Sequence, residues 1–333
     1  MNHPGGSDLW PEYEAALKGA AFFFPSDAGY LSLRGADRIS FLQRQTTNDL
    51  HQLAEGRSML TVLTSPTARI LDVLLLWFDG DVLCALPLAG RSAATVNFLK
   101  SRIFFNDKVS LSDLSAEFIQ VDLLGMGVPA ALGRLGISVL PEGDQILSTD
   151  LAGVPAMILG KSSLVRDGWR LVVGSVSLGN IEEILAQLGF VRVSTEVMEI
   201  LRVERGAPGA GRELSEAYTP LEVGLEAAVA SQKGCYTGQE VIARQLTYGK
   251  VTRRLVGLYL DQPVREGALV LVEGKPAGEI SSQTISPRFG AIALAVLKRP
   301  FHEPGTEVVI QHGDQIIRAV VTGLPFTKTR QDL

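Results

Sequence analysis

The C-terminal part of the chain alternates short apolar runs with turns, and this pattern limits the folds it can adopt. Turn-forming pairs such as Glu273-Gly274 and Gly313-Asp314 separate the runs. Several short strands at close spacing predict a small sandwich or barrel that begins near residue 250. The strand-like runs are Leu255–Leu260, Ala268–Val272, Ala277–Ile280, Ile292–Leu297, Glu307–Ile310 and Ile316–Val320.

The preceding residues mix helical and strand-like patterns without strict β-α-β alternation. Met59–Leu63, Ile70–Phe78 and Val82–Leu86 have the composition of strands, and Ser92–Arg102 has the pattern of a helix. A second, similar unit begins near Glu117. This mixture predicts the α+β class with antiparallel sheets rather than a doubly wound parallel fold.

Composition excludes several classes of protein. The 333 residues carry a net charge of −5 with a pI near 5.5, which argues against direct nucleic-acid binding. No apolar run approaches the roughly 18 residues of a membrane span. The N-terminus lacks the basic and apolar regions of a secretory signal, so we expect a cytoplasmic protein without a membrane partner.

The chain contains two cysteines and therefore no disulfide framework. Cys84 lies in an apolar strand-like run and is predicted to be a core residue. An iron–sulfur cluster normally needs about four cysteine ligands, so we expect no metal centre held by this chain alone. One thiolate could still share a cluster with a partner.

The most informative segment for function is Lys233-Gly234-Cys235-Tyr236-Thr237-Gly238-Gln239-Glu240. It places a cysteine between two glycines and two residues after a lysine. Glycine permits φ > 0 or a close approach of the backbone, and a nearby ammonium favours the thiolate over the thiol. On residue chemistry alone, the thiol of Cys235 is a nucleophile, a metal or cluster ligand, a redox group or an inert buried side chain.

A mild cluster of basic residues follows this octet, at Arg244, Lys250, Arg253 and Arg254. The cluster has two interpretations, a solvated edge strand or a small site for an anion. The sequence leaves both open.

The octet resembles the K-G-C-[FY]-x-G-Q-E signature of the YgfZ family. These are folate-binding proteins related to the T-protein, or aminomethyltransferase, of the glycine cleavage system. Three further stretches resemble blocks of that superfamily, and the resemblance covers most of residues 20 to 330. They are Leu33–Asp37 with Phe41–Leu50, Thr219–Leu225, and Arg253–Leu258.

The resemblance implies three lobes around a central cavity that accepts a reduced folate, tetrahydrofolate or a derivative. We therefore expect α+β lobes over residues 1-115 and 116-215, a signature segment lining the cavity over 216-250, and a β-barrel over 251-333. It also implies a role in assembling or maintaining iron–sulfur enzymes, including tRNA-modifying ones, with iron–sulfur client or assembly proteins as partners. Any help to tRNA modification would be indirect, in agreement with the acidic pI.

Two blocks depart from the T-protein pattern. The T-protein has an acidic residue needed for aminomethyl transfer in a V-N-A-x-N-x-x-x-D block, whereas Leu86–Thr95 contains no aspartate. Its G-E-D-G block, whose glutamate helps to hold the pterin, corresponds to Val165–Gly168, where Arg166 replaces the acid. A carboxylate can accept two hydrogen bonds from the pterin's amino-pyrimidine edge, but a guanidinium has no acceptor. These departures argue against aminomethyl transfer and against a pterin held in the same pose.

Three functions remain open. The first is a folate-dependent accessory protein for iron–sulfur enzymes. The second is a tetrahydrofolate-dependent aminomethyltransferase, in which Asp72 or Asp49 would replace the missing acid. The third is a binding module without chemistry, in which the octet is only a tight loop. Whether the chain is an enzyme is therefore not decided by its sequence.

In the first hypothesis Cys235 is the reactive thiol and Lys233 favours its thiolate. Arg244 would orient Glu240 or contact an anion such as the folate glutamate tail, although an exposed i,i+4 pair is the simpler interpretation. The other motif and cavity residues are Gly234, Tyr236, Gly238, Gln239, Glu240 and Arg244. The expected folate contacts are Asn48, Asp49 and Glu222.

Overall fold

The structure is a computed structural model. It describes residues 9–160, 168–247, 249, 251–313 and 315–329. The chain forms two compact units. The first comprises Met1–Gln43, Leu50–Leu60 and Leu74–Met198; the second comprises Arg44–Asp49, Thr61–Val73 and Glu199–Leu333.

The helices lie mostly before the C-terminal strands. They are α1 (Trp10–Lys18), α2 (Arg38–Gln45), α3 (Ser92–Lys100), α4 (Val128–Gly133), α5 (Leu178–Gln187), α6 (Thr195–Glu204) and α7 (Gln239–Thr247). Within the described ranges, none of them is long and apolar enough to span a bilayer.

The strands follow in chain order. In the first part of the chain they are β1 (Ala21–Phe23), β2 (Leu31–Arg34), β3 (Ser58–Thr64), β4 (Ile70–Asp79), β5 (Val82–Leu86), β6 (Ser110–Asp113), β7 (Phe118–Leu124), β8 (Ile146–Leu151), β9 (Val154–Leu159), β10 (Gly168–Gly174) and β11 (Val191–Arg192). The remaining strands are β12 (Arg253–Leu260), β13 (Leu269–Val272), β14 (Lys275–Ser286), β15 (Gly290–Lys298), β16 (Glu307–His312) and β17 (Gln315–Thr322).

The first unit contains a six-stranded sheet in the order β11-β1-β7-β10-β9-β8. Its pairs are antiparallel, apart from the short parallel pair of β1 with β11. Leu171 of β10 and Leu123 of β7 are fully buried in its core, together with Ile181 of α5. The sheet and the helix therefore bury one continuous apolar layer, which is the main stabilising term for such a lobe.

A second sheet has the order β3-β4-β5-β2-β6. The pairs of β5 with β4 and β2, and of β2 with β6, are antiparallel. Cys84 of β5 is buried, as predicted, and its sulfur accepts a hydrogen bond from the Tyr30 hydroxyl at 3.1 Å. Burial is the main cause that raises the pKa of the Cys84 thiol to about 11. This thiol therefore stays neutral and belongs to the core.

The C-terminal strands close into a barrel in the order β12-β15-β14-β13-β16-β17. Each of the six predicted runs lies within or overlaps one of these strands, and every neighbouring pair is antiparallel. Inward-facing side chains such as Leu258, Val270 and Ile310 are fully buried and fill the interior. Closure leaves the barrel without an unpaired edge.

The second unit also includes two segments from the first part of the chain. Thr47 donates its N–H to the Val62 carbonyl at 3.0 Å, and its own carbonyl accepts from the Ala230 N–H at 3.0 Å. The Ile70 N–H donates to the Tyr218 carbonyl at 3.0 Å. Residues 44–49 and 61–73 are thus held to the segment before the barrel by backbone hydrogen bonds.

The predicted α+β class with antiparallel sheets and a C-terminal barrel is confirmed.

Candidate functional site

The cysteine octet forms a loop that ends in α7. Cys235 lies on this loop four residues before the helix and is exposed to solvent. A reagent or partner can therefore reach its sulfur without unfolding. Of the interpretations left open by the sequence, the inert buried thiol does not describe this residue, whereas it does describe Cys84.

Lys233 fixes the start of the loop. Its Nζ donates to the Thr46 carbonyl at 2.7 Å and to the Asn48 carbonyl at 2.6 Å. The ammonium also lies 4.9 Å from the centre of the Tyr236 ring. Burial lowers the pKa of the Lys233 amine to about 8, and the Asp49 carboxylate acts in the opposite direction. The observed contacts give Lys233 a positioning role, and its effect on the Cys235 thiolate stays a prediction.

Gly238 fixes the end of the loop. Its φ is +84°, and a Cβ at this position would lie 2.7 Å from the Ser65 carbonyl oxygen. The neighbouring Thr237 carbonyl accepts a hydrogen bond from Thr64 Oγ1 at 2.6 Å. Glycine is required here because the chain has a left-handed conformation and packs directly on backbone. Gly234 differs, since nothing lies within 4 Å of its Cβ position and its φ is not in the left-handed region.

Helix α7 packs through a small apolar patch. Ile242 is buried with Ala68 and Leu221, and Tyr236 packs against the same cluster. Gln239 is half-buried at the start of the helix. Glu240 and Arg244 are exposed one turn apart, and no ion pair joins these two described side chains. A bound ligand or partner would be needed to give this pair the role expected in the first hypothesis.

The expected folate contacts Asn48 and Asp49 lie beside the Lys233 contact. Asn48 Oδ1 accepts from the Asp49 N–H at 2.9 Å, and Asn48 Nδ2 donates to the Ala227 carbonyl at 3.2 Å. The amide of Asn48 thus holds the chain at this point. Asp49 is half-buried and carries the carboxylate that acts on Lys233.

Glu222, the third expected folate contact, is held within a network of the second unit. Its Oε1 accepts from Arg253 Nε at 2.8 Å, and its Oε2 accepts from Arg253 Nη2 at 3.0 Å. The Thr219 N–H donates to Oε2 at 2.9 Å, and Arg69 Nη1 lies 3.6 Å from the same atom. Only 4% of the Glu222 side chain is exposed. These contacts give Glu222 a structural role, and its contact with folate stays a prediction.

The same network bears on the basic cluster. Arg253 is neutralised by Glu222, whereas Arg244 and Arg254 are exposed and Lys250 lies outside the described residues. Arg253 thus contributes to the structure through Glu222, and an anion site on this cluster stays a prediction.

The structure also places the residues considered for aminomethyl transfer. The block without aspartate runs from the end of β5 at Leu86, through the connection, into the first four residues of α3. Asp72 is fully buried, and its Oδ1 accepts from the Val73 N–H at 2.8 Å, so it is not accessible to a substrate. Val165–Asp167, which correspond to the pterin-holding block, lie outside the described residues.

Several residues that shape the loop escaped prediction. Thr64, Ser65 and Ala68 form the turn against which Thr237 and Gly238 pack. The turn itself is predictable from Ser65-Pro66-Thr67, but no local signal pairs it with residues far along the chain. In the described part of the chain, no three His, Cys, Asp or Glu side chains come together to form a metal site.

The family follows from comparison with known proteins. A model of the GCVT N-terminal domain matches residues 9–233, and a model of the glycine cleavage T-protein C-terminal barrel domain matches residues 253–328. The chain belongs to the glycine cleavage T-protein superfamily. Residues 234–252 lie between the two matches and carry the octet after Lys233 together with α7.

Individual relatives of this superfamily cover nearly the whole chain. The Arabidopsis thaliana protein named "Putative transferase At1g60990, chloroplastic" is 30% identical over 307 residues, 90% of this chain and 70% of its own. An aminomethyltransferase of Thermosynechococcus vestitus is 29% identical over 326 residues, 96% of this chain and 88% of its own. The crystal structure of aminomethyltransferase T from Bartonella henselae superposes with a TM-score of 0.84 at 23% identity, covering 97% of this chain and 90% of that one. The T-protein fold is therefore shared along the chain.

Proposed function

We propose that this protein is a folate-binding accessory protein of the YgfZ type. It supports the assembly or maintenance of iron–sulfur enzymes, including tRNA-modifying ones, in the cytoplasm. The observation that carries the proposal is the exposed Cys235 on a loop fixed at both sides, by Lys233 at its start and by Gly238 at its end. A reactive thiol needs both access and a defined position, and this loop supplies them.

The proposal gives each part of the loop a task. Lys233 holds the loop to the backbone of Thr46 and Asn48, so the sulfur is presented at a constant position. Tyr236 anchors the other side of the cysteine in the apolar patch of α7. Partners then reach Cys235 from solvent, and client or assembly proteins of iron–sulfur enzymes supply the remaining cluster ligands.

The folate part of the proposal rests on family membership and on one carboxylate. A reduced folate, when bound, supplies one-carbon chemistry. Asp49 carries a half-buried carboxylate near Lys233, and a carboxylate can accept two hydrogen bonds, so we assign it to the amino-pyrimidine edge of the pterin. A titration of tetrahydrofolate into wild type and Asp49→Asn tests this assignment, and equal affinity of the two would contradict it.

The experiment that tests the function is complementation. In a strain that depends on this protein for an iron–sulfur enzyme, Cys235→Ala should abolish that enzyme's activity and leave the unfolding temperature unchanged. The matched control is Gln232→Ala, a substitution of the exposed residue directly before the octet, and it should retain activity. Full activity of Cys235→Ala would remove the thiol from the mechanism.

Thiol labelling separates this function from a module without chemistry. In the native protein a thiol reagent should modify Cys235 alone, and Cys84 should react only after unfolding. Cys235→Ser should then show no native labelling. Labelling of Cys235 only in denaturant would favour the tight-loop interpretation.

A second function is kept because aminomethyltransferases match the chain along nearly its whole length. Against it, Leu86–Thr95 lacks the acidic residue and Asp72 is buried. An assay with aminomethylated lipoyl carrier protein and tetrahydrofolate decides between the two. Turnover above background would make the aminomethyltransferase the better assignment.

A further inference from the structure

Two adjacent phenylalanines project into solvent from the turn that follows α3. Phe104 is 64% exposed and Phe105 is 105% exposed. The turn is ordered, because the Phe104 N–H donates to Asp107 Oδ2 at 3.0 Å and the Lys108 N–H donates to Asp37 Oδ2 at 2.8 Å. An aromatic pair presented in this way on a fixed turn is typical of an interaction site. We call Phe104 and Phe105 the aromatic tip.

The charge around the aromatic tip is positive, although the whole chain carries −5. Lys100, Arg102 and Lys108 flank the two rings in sequence, and the nearby carboxylates of Asp37 and Asp107 accept backbone N–H groups of the turn. A partner surface that fits this tip has an apolar pocket with carboxylates at its rim.

The first unit itself contains a surface of this description. A cavity of about 670 Å³ opens there, and its apolar walls include Phe24, Phe118 and Leu178. Its polar lining includes three carboxylates and one guanidinium, Arg192, which pairs with Glu182 at 3.0 Å. The cavity is therefore apolar inside and net negative. Its acidic residues are Asp27, Asp113 and Glu182.

The cavity and the tip lie at opposite ends of α3. Ser92 and Ala93 at the start of the helix line the cavity, and the tip follows the last helical residue, Lys100, by four positions. Nine residues of helix span about 13 Å. The exposed residues of α3 before its last residue, Lys100, are small, namely Ala93, Ala94 and Asn97, which permits a close approach.

We propose that two copies of this chain associate through this face, each placing its Phe104–Phe105 tip in the acidic cavity of the other. Two α3 helices aligned antiparallel about a twofold axis bring both tips to both cavities at once. Such an interface uses the same surface on each copy and therefore closes as a dimer. The proposal is independent of the folate and iron–sulfur function.

Sedimentation velocity over a range of concentrations tests the dimer. Wild type should show a concentration-dependent monomer–dimer equilibrium. The double variant Phe104→Ser, Phe105→Ser should weaken it about 30-fold or more, as expected for two central aromatic anchors. Val139→Ser, which changes an exposed apolar residue elsewhere in the unit, is the matched control and should leave the equilibrium unchanged. The proposal would be overturned if wild type stayed monomeric or if the tip variant still dimerised. The aromatic tip would then be an interaction site for a different protein.

A charge exchange and a cross-link identify the contact itself. Lys108→Glu and Glu182→Lys should each weaken the dimer, and the two changes combined in one chain should restore it. In a Cys235→Ser background, the double variant Asn106→Cys, Ala93→Cys should form an intermolecular disulfide under mild oxidation. Each single-cysteine variant is the control and should stay without a cross-link. Failure of both the charge rescue and the mixed disulfide would exclude the cavity as the binding site of the tip.

Discussion

Gly238 and Gly234 flank the same cysteine but differ in what their backbones require. Gly238→Ala would place a Cβ 2.7 Å from the Ser65 carbonyl oxygen at a φ of +84°, where little can move aside. We expect it to lower the free energy of unfolding by about 1–3 kcal/mol. Gly234→Ala meets no atom within 4 Å and should change stability by less than about 0.5 kcal/mol. Urea denaturation of both variants measures the difference, and equal costs would contradict this account of the loop.

Lys233 should make stability depend on pH in a defined direction. Burial lowers the pKa of its amine from 10.5 to about 8 in the folded protein. Between these two pH values the unfolded chain binds more protons than the folded protein, so the stability of the folded protein rises with pH. Below about pH 8 the amine is charged in both states, and the folded protein bears the full cost of burying that charge. The stability of wild type relative to Lys233→Met should therefore increase from pH 7 to pH 10.5, by about 1–2 kcal/mol because solvent screens the half-buried amine. Urea denaturation of both proteins at each pH tests this, and a constant difference would show that the amine titrates normally.

At the scale of the element, the 3₁₀ helix Pro220–Glu222 depends on one buried carboxylate. Glu222 joins the Thr219 backbone to Arg253 and Arg69, and 29% of the Arg253 side chain is exposed. Glu222→Ala should lower the free energy of unfolding by about 2–4 kcal/mol, because it leaves a partly buried guanidinium without its carboxylate. Glu226→Ala, an exposed change in the next short helix, is the control and should have little effect. A small effect of Glu222→Ala would instead leave that carboxylate available for a ligand.

The elements differ in how far the sequence alone could predict them. Short apolar runs separated by turn-forming pairs predicted the barrel strands, because both signals are local in the sequence. The strand β14 runs to Ser286, beyond the predicted end at Ile280, since pairing with β15 continues through its polar residues. Helix α7 has a single fully buried side chain, Ile242, so its amphipathic signal is weak and its position depends on packing against Ala68 and Leu221.

At the scale of the whole molecule, the second unit depends on segments distant in the chain. Thr47 is fully buried, and its Oγ1 donates to the Ala228 carbonyl at 2.6 Å and accepts from the Val62 N–H at 3.0 Å. Thr47→Val keeps the shape but leaves both groups unpaired, so we expect a loss of about 1–3 kcal/mol. Hydrogen exchange should also become faster over residues 227–233, near the start of the cysteine loop. Thr252→Val, an exposed change, is the control; unchanged exchange in Thr47→Val would mean that the loop does not depend on this contact.

The sequence by itself determined the antiparallel lobes, the barrel, the buried Cys84 and the motif around Cys235. These follow from periodicity and residue type, which act over a few positions. Tertiary structure decided the environment of the site. Lys233 donates hydrogen bonds to carbonyls 185 and 187 residues away in sequence, and the hydrogen bond of Thr64 to Thr237 spans 173 residues. Hydrogen bonds of this range depend on how separate segments pack, so no local pattern in the sequence encodes them.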